Sequence, residues 1–465
     1  MSDLMQAGKF AQALALLVPK LQRDPTSIQA LDRAATCYLQ LGDNQTAAKL
    51  LEVLLENNPD LPQAWGKLAA VRATSGSKAE AAEAYRRALA LQPGDIGLLA
   101  AFNQLQTFAS GSSFAARLRA ALEDVQMSRE HRILAHFALG SIEDKAGNTA
   151  GAFDHYCRAN GLTEEAYDAE LMEARIEAQL ASRWSGGNGE EDPESPRLLF
   201  VTGLPRSGTT LLEACLTQHS QVASIGESTA LSKTASAVRQ HIAVQHGDSG
   251  WWNWLGRLGT DDLLKFRNLF WQLAFDQGKP DKPVVVDKMP LNVFEMGLAQ
   301  LLLPNARFLF LSRHPLDTGL SNFMMNFAYG NRFSQRLDWI GHMTRCVYRS
   351  ALDYQAKLGK ALRVQSYEEL VTSPELQIRA ILEHAGLAWE AGCLNPEQNA
   401  RMVRTASLMQ VRQAINTRGL GKWRRYEEHL QPLIDALGGE EWIRQWEQWD
   451  RNAAGTGQFD PCRKK

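Results

Sequence analysis

The sequence predicts a multidomain chain in which an all-α array of repeated helix pairs precedes an α/β domain with a parallel sheet. Two observations support this fold class. Glycines and prolines recur every 34 residues near the start of the 465-residue chain, and β-rich apolar stretches alternate with helical patterns in the second half. A third observation, a glycine-bearing loop between a predicted strand and a predicted helix, indicates an anion site in the second domain.

The helical array is predicted by three glycines and three prolines that share one 34-residue period: Gly8, Gly42 and Gly76, then Pro25, Pro59 and Pro93. Glycine suits the turn between two helices, and proline stops the second helix of each pair. The pattern resembles the tetratricopeptide repeat, a helix–turn–helix unit of this length. A degenerate unit is expected at roughly 96–130, and a clean one returns around Gly147. Such arrays commonly bind proteins. The repeats are therefore expected to recruit an acceptor protein, an acceptor peptide or a partner, the alternative being that they support or oligomerise the next domain.

The domain boundary is predicted at residues 183–196, where glycine, proline, serine and acidic residues replace the periodic pattern. The expected domains are then a repeat domain at 1–182 and an α/β domain at 197–465. A net charge of −2 argues against a nucleic-acid partner, and no apolar run approaches the roughly 20 residues of a membrane helix. Six scattered cysteines without a C-x-x-C pair argue against disulfides and a zinc site and favour a cytoplasmic chain. The oligomeric state is left open.

The parallel sheet is predicted from four apolar stretches separated by helical patterns: Leu198–Thr202, Val284–Asp287, Arg307–Ser312 and Leu362–Ser366. Each ends in polar residues. Because ligands of such sheets bind beyond the carboxyl ends of the strands, the polar residues there predict a binding site.

The loop after the first predicted strand reads GLPRSGTT, from Gly203 to Thr210, and has the G-x-x-x-x-G spacing of a phosphate loop. A nucleoside-triphosphate loop would continue with lysine, but this chain has Thr209. Arg206 lies inside the loop instead, and an arginine guanidinium can donate two parallel hydrogen bonds to an oxyanion. The missing lysine, together with the lack of a clear second acidic strand for magnesium, argues against a small-molecule kinase.

Two segments of the predicted α/β domain resemble motifs of a known family. The segment PRSGTT is similar to the 5′-phosphosulfate loop of sulfotransferases, which use 3′-phosphoadenosine 5′-phosphosulfate (PAPS) as a co-substrate. The segment FLFLSRHPLDTGLSNF carries Arg313 and Ser321, which match the residues that hold the donor's 3′-phosphate in that family. The resemblance implies a P-loop-like sulfotransferase domain over roughly 197–435, with no metal. It implies these donor-binding residues: Pro205, Arg206, Ser207, Gly208, Thr209, Thr210, Arg313, Ser321, Lys422 and Trp423.

Further segments resemble the tyrosylprotein sulfotransferase-like branch. IGEST places Glu227 at the branch's catalytic base, VVVDKMPLN places Lys288 at its lysine near the sulfuryl group, and VRTASLMQVRQAI places Ser407 at its serine. With Arg206, these residues form the catalytic set that the resemblance implies. His219 is a reserve candidate for the base, because other sulfotransferases use histidine.

The expected function is transfer of a sulfuryl group from PAPS to an acceptor hydroxyl, with protein tyrosine as one candidate acceptor. Two alternatives stay open. One is a sulfotransferase that acts on a carbohydrate or a small molecule. The other is a repeat-based interaction protein whose nucleotide fold is not catalytic.

Overall fold

The computed structural model describes residues 2–106, 108–163, 166–184, 195–248, 250–276, 278–327, 330–398 and 413–451. These residues form two compact units. One contains the described residues up to Thr163, and the other contains the described residues from 166 onward. No helix among them has both the length and the apolar character needed to cross a membrane.

The first unit is helical, as the repeats predict. Gly42, Gly76 and Gly147 each follow a helix and adopt left-handed backbone with φ of 91°, 93° and 86°. Proline follows two residues after the end of the second helix in the early pairs. The helices are α1 Ser2–Gln6, α2 Phe10–Arg23, α3 Ile28–Leu41, α4 Asn44–Asn57, α5 Pro62–Ser75, α6 Lys78–Leu91, α7 Ile96–Leu105, α8 Ser113–Leu122, α9 Arg129–Ala146 and α10 Thr149–Gly161.

The second unit surrounds a sheet with helices, which confirms the predicted α/β class. Its strands are β1 Arg197–Gly203, β2 Val222–Gly226, β3 Val284–Asp287, β4 Arg307–Ser312 and β5 Leu362–Ser366. Its helices are α11 Ala169–Ala181, α12 Thr209–Leu216, α13 Ala230–His246, α14 Thr260–Ala274, α15 Met296–Leu302, α16 Pro315–Phe323, α17 Leu337–Leu358, α18 Tyr367–Thr372, α19 Pro374–His384, α20 Gln431–Leu437 and α21 Glu440–Arg451.

The sheet is parallel throughout, with strand order β2-β3-β1-β4-β5. The three central strands are almost wholly buried, which explains why their sequences are continuous apolar runs. The sequence analysis missed β2, an edge strand whose residues are mostly half-buried and which has no such run. All five strands end at one edge of the sheet, so the residues that follow them converge there.

Helix α11 packs with the second unit, whereas the sequence analysis grouped it with the repeats. The Gln179 side-chain amide donates to the Ser350 carbonyl at 3.1 Å and to the Asp353 carboxylate at 2.8 Å. Both acceptors lie on α17. Helix α11 therefore belongs to the α/β unit, where it packs on α17.

Helices α17 and α20 approach closely at Gly341, and this contact predicts a steric effect. A Cβ there would lie 2.6 Å from the Ala436 Cβ and 3.0 Å from the Leu433 carbonyl oxygen. We expect Gly341→Ala to destabilise the unit by about 1–3 kcal/mol, because overpacking displaces the partner helix. Urea unfolding measures this as a lower midpoint. Gly392→Ala is the control, since its nearest neighbour would be 3.7 Å away, and an unchanged midpoint for Gly341→Ala would contradict the prediction.

Candidate functional site

The loop between β1 and α12 turns because two glycines let it pass close to other groups. At Gly203, with φ of 150°, a Cβ would lie 2.8 Å from the Leu311 carbonyl oxygen. At Gly208, with φ of 105°, it would lie 2.3 Å from the Tyr367 ring. Neither position therefore tolerates a side chain. The turn leads directly into the first turn of α12, where unsatisfied backbone N–H groups favour an anion.

Arg206 is the residue of this loop that adopts an unusual backbone. Its φ is 71°, a conformation that costs a residue other than glycine on the order of 1–3 kcal/mol and that often marks a functional site. Its side-chain Nε donates to the Ser321 hydroxyl at 3.0 Å. Arg313 donates to the Arg206 backbone carbonyl at 2.7 Å. The two motifs identified in the sequence therefore meet in space.

The two guanidinium groups affect each other electrostatically. Burial, followed by the nearby charge of Arg313, lowers the pKa of Arg206 to about 10. That value leaves the group charged at neutral pH. Two like charges held together in a partly buried position favour an anionic ligand between or beside them.

Arg313 is held from several sides at the carboxyl end of β4. One terminal nitrogen donates to the Gly419 carbonyl at 2.7 Å, and the guanidinium lies 4.6 Å from the centre of the Tyr367 ring. The backbone of the same segment, at Gly421 and Trp423, donates to the Asp317 carboxylate. These contacts bring residues 419–423 next to the loop.

Lys422 and Trp423 begin a 3₁₀ helix, Lys422–His429, in this segment. The Trp423 ring stacks on His314 with centroids 5.3 Å apart, and the Lys422 side chain is exposed. His314 caps α16 by accepting from the Leu316 N–H, so its role in the structure is capping.

Lys288 follows β3 and is fully buried, with no exposed surface. Its ammonium lies 2.5 Å from the Glu227 carboxylate and 3.7 Å from the Glu213 carboxylate. Burial of a lysine requires such partners. The Glu227 side chain is 42% exposed, so one carboxylate of the cluster reaches both the buried lysine and solvent.

Asp287, the last residue of β3, is also fully buried. Burial, followed by the charge of Glu213, raises the pKa of Asp287 well above its usual range. The folded chain therefore holds the Asp287 proton more tightly than the unfolded chain does, and one oxygen of this carboxyl group accepts from the Asn292 amide at 3.3 Å. A carboxyl group enclosed in this way has no exposed oxygen to offer a magnesium ion.

The buried polar atoms near the loop that have no hydrogen-bond partner among the described residues include two donors, the Ser207 hydroxyl and the Arg313 Nε. Buried hydrogen-bond donors without an acceptor are rare in folded proteins, and each one needs an explanation. Oxygens of a phosphate or sulfate group could accept from both. The residues present thus suit an anionic ligand that carries a phosphate or sulfate group.

Other predicted residues have different outcomes. Thr209 and Thr210 are buried in the first turn of α12, and Pro205 accepts from the Asn322 amide through its carbonyl. Ser407 lies outside the described residues. His219, the reserve base, donates to the Ala388 carbonyl at 2.9 Å and accepts from the Gln221 N–H at 3.1 Å. Both of its ring nitrogens are bonded to backbone, which disfavours a catalytic role.

Sequence reasoning missed Glu213, Asp317 and Asp450. A signal for the first exists, because Glu213 interrupts the buried apolar face of α12 and a buried carboxylate needs a cation. No local sequence pattern indicates Asp450, because the two strands that it contacts are far from it in the sequence. Its two oxygens accept from Ser312 at the end of β4 and from Ser366 at the end of β5, both at 2.7 Å.

A family model described as Sulfotransferase family matches residues 196–391, and a model described as Tetratricopeptide repeat matches residues 4–71. Both were expected from the sequence. The chain therefore joins a tetratricopeptide-repeat region to a sulfotransferase-family domain.

Similar proteins include an uncharacterized protein of Aquifex aeolicus (strain VF5), 32% identical over 69% of this chain and 43% of that protein. Protein-tyrosine sulfotransferase 2 of Gallus gallus is 25% identical over 52% of this chain and 69% of its own length. This chain thus spans less than half of the Aquifex relative. A solved structure, the sulfotransferase domain from the Synechococcus PCC 7002 olefin synthase, is 17% identical with a TM-score of 0.35, over 52% of this chain and 91% of that one.

The carboxyl group of Glu368 predicts a pH effect on stability. It accepts from the His314 N–H at 3.0 Å, and burial, followed by the charge of Asp450, raises its pKa to about 7. The folded chain therefore binds this proton more tightly than the unfolded chain does. The stabilising contribution is present below the ordinary glutamate pKa and is lost as the pH rises through about 7.

Glu368→Gln, which stays neutral, should therefore raise the melting temperature at pH 8 more than at pH 5. Thermal unfolding followed by tryptophan fluorescence at both pH values measures the difference. Glu383→Gln removes an exposed carboxylate from the same unit and serves as the control. An equal shift at the two pH values would contradict the raised pKa of Glu368.

Proposed function

We propose that this chain, a sulfotransferase-family domain preceded by tetratricopeptide repeats, transfers a sulfuryl group from PAPS to an acceptor hydroxyl. The observation that carries the proposal is the convergence of Arg206, Arg313 and Ser321 on one loop, next to the Lys288–Glu227 pair. The first group suits an anionic nucleotide, and the second suits proton transfer and charge stabilisation. Both lie at the carboxyl edge of one parallel sheet.

The donor would be held by the loop and by the segment after β4. The backbone N–H groups at the start of α12, with Ser207 and Arg206, would bind the 5′-phosphosulfate. Arg313 and Ser321 would bind the 3′-phosphate, with Lys422 and Trp423 close to the nucleotide. Contacts to this remote phosphate would help to position the reacting sulfur.

The transfer forms one S–O bond and breaks another. The acceptor oxygen bonds to sulfur while the bond between sulfur and the bridging phosphate oxygen breaks, and the acceptor proton passes to Glu227. The products are a sulfate ester and adenosine 3′,5′-bisphosphate. Lys288 and Arg206 would stabilise the charge that develops on the bridging oxygen, a role that needs no bridging metal. Ser407 is proposed to act in the same region.

The acceptor is proposed to be a protein hydroxyl, with tyrosine as the first candidate. The relatives named protein-tyrosine sulfotransferases support this choice, and the repeats offer a surface for a protein acceptor. Carbohydrate and small phenols are the competing acceptors. The alternative from another class is a nucleotide fold that is not catalytic. The fully buried Lys288 with its two carboxylates argues against this alternative, because a buried ion pair adds little to stability.

The proposal predicts that the chain binds adenosine 3′,5′-bisphosphate in the presence of a metal chelator. Arg313→Ala should weaken this binding about tenfold to a hundredfold, as expected for lost hydrogen bonds to a charged group. Isothermal titration calorimetry measures both affinities. Adenosine 5′-phosphate, which lacks the 3′-phosphate, should show a much smaller difference between the two proteins.

Arg379→Ala is the matched control. Arg379 lies on α19, where its exposed side chain contacts the Trp389 ring, and it is not part of the loop. The substitution should leave the bisphosphate affinity unchanged. Tighter binding of ATP than of the bisphosphate, or an equal loss for both nucleotides in Arg313→Ala, would contradict the assignment of the 3′-phosphate site.

A second prediction concerns the base. Glu227→Gln keeps an oxygen that can accept from Lys288 but cannot take a proton. Turnover should fall about 10²–10⁴-fold, while the affinity for the bisphosphate stays the same. Transfer of labelled sulfate to an acceptor mixture measures turnover.

Glu375→Gln, which removes an exposed carboxylate on α19, provides the control for that experiment. It should retain the turnover of the unmodified chain. If Glu227→Gln also retains it, another group accepts the proton.

A further inference from the structure

A second cluster of chemically active side chains lies away from the loop, between α11 and α17. Glu173 on α11 faces His342 and Cys346 on α17. His342 and Cys346 are four residues apart on one helix, the spacing that places two side chains on the same face. Cys346 is buried, and the other two are half-buried.

The distances between the donor atoms match those of a tetrahedral metal site. The His342 Nε2 lies 3.3 Å from the Glu173 Oε2, and the Cys346 sulfur lies 3.9 Å from both of these atoms. With metal bonds of about 2.0–2.1 Å to nitrogen and oxygen and about 2.3 Å to sulfur, tetrahedral geometry requires edges of about 3.3 and 3.6 Å. Small side-chain movements would therefore complete the site.

Each half-buried ligand is oriented by a further contact. The His342 Nδ1 lies 2.9 Å from the Tyr167 hydroxyl, which leaves Nε2 as the nitrogen that faces Glu173. The other Glu173 oxygen accepts from Arg349 at 2.5 Å. Arg349 also contacts Glu177, so its charge is shared between two carboxylates. Supporting contacts of this kind hold metal ligands in place.

We propose that Glu173, His342 and Cys346 bind one divalent transition-metal ion, with Zn²⁺ as the preferred ion, and that the ion fixes α11 on α17. A thiolate, an imidazole and a carboxylate together suit zinc and disfavour magnesium or calcium, which prefer oxygen ligands. The fourth position is left for water, since Glu173 and His342 are partly exposed. The role is structural, because none of the three residues belongs to the proposed transfer site.

The sequence alone argued against a zinc site because the cysteines are scattered. The third ligand comes from a helix far away in the chain, so no local spacing could indicate it. Without an ion, a neutral imidazole explains the close approach of His342 and Glu173, because its Nε2–H can donate to the carboxylate while Nδ1 accepts from the Tyr167 hydroxyl. The competing account is therefore a direct hydrogen bond between His342 and Glu173 that involves no metal.

The test uses the tag-free full chain, loaded with Zn²⁺ and then dialysed, with metal content measured by mass spectrometry. We expect about one zinc per chain. Glu173→Gln should lose this zinc, whereas Glu177→Gln should retain it. The two substitutions are matched, because both residues lie on α11 and both contact Arg349.

Two further measurements separate metal binding from loss of folding. Added Zn²⁺ should raise the melting temperature of the unmodified chain and of Glu177→Gln, but not that of Glu173→Gln. Co²⁺ should give a thiolate-to-cobalt absorption band that Cys346→Ser removes and that Cys157→Ser, at an exposed cysteine, leaves intact. Equal zinc content in the two glutamate variants, or cobalt binding without the thiolate band, would overturn the proposal in favour of the direct hydrogen bond.

Discussion

The candidate site depends on the placement of two arginine side chains at neighbouring strand ends. Arg206 enters the loop in a left-handed backbone conformation, and Arg313 at the end of β4 donates to its carbonyl. Burial, followed by repulsion from the charge of Arg313, lowers the pKa of Arg206. An arrangement that combines backbone strain, like charges and unpaired buried donors is costly in the free chain. A bound anion would relieve the repulsion and satisfy the Ser207 hydroxyl and the Arg313 Nε.

A second constraint is the burial of Lys288 among carboxyl groups. Glu213 and Glu227 supply the opposite charge, while burial and the charge of Glu213 raise the pKa of the neighbouring Asp287. Two carboxylates therefore lie against the enclosed ammonium group. The strand order places this cluster on β3, directly beside the loop that follows β1. The parallel sheet thus brings together the arginine pair and the buried lysine, the two groups that the proposed function assigns to anion binding and to charge stabilisation.

Much of this could be predicted from local sequence. Buried strands such as β3 and β4 are continuous apolar runs, and a loop motif with its partner motif indicated Arg206 and Ser321. The half-buried edge strand β2 has no such run, so it was missed. Asp450 and Glu173 were also missed, because their roles depend on residues that are brought close only by the fold. Glu213 lies between these cases, since a charge on a buried helix face is visible but its partner is not.

The two parts of the site are proposed to act together in sulfuryl transfer. The most direct measurement incubates the chain with ³⁵S-labelled PAPS and a cell lysate, then separates protein, glycan and small-molecule fractions. We expect label in one fraction, formed without added metal and lost when Lys288 is replaced by methionine. Absence of chain-dependent label from every fraction, or label that persists in Lys288→Met, would contradict it.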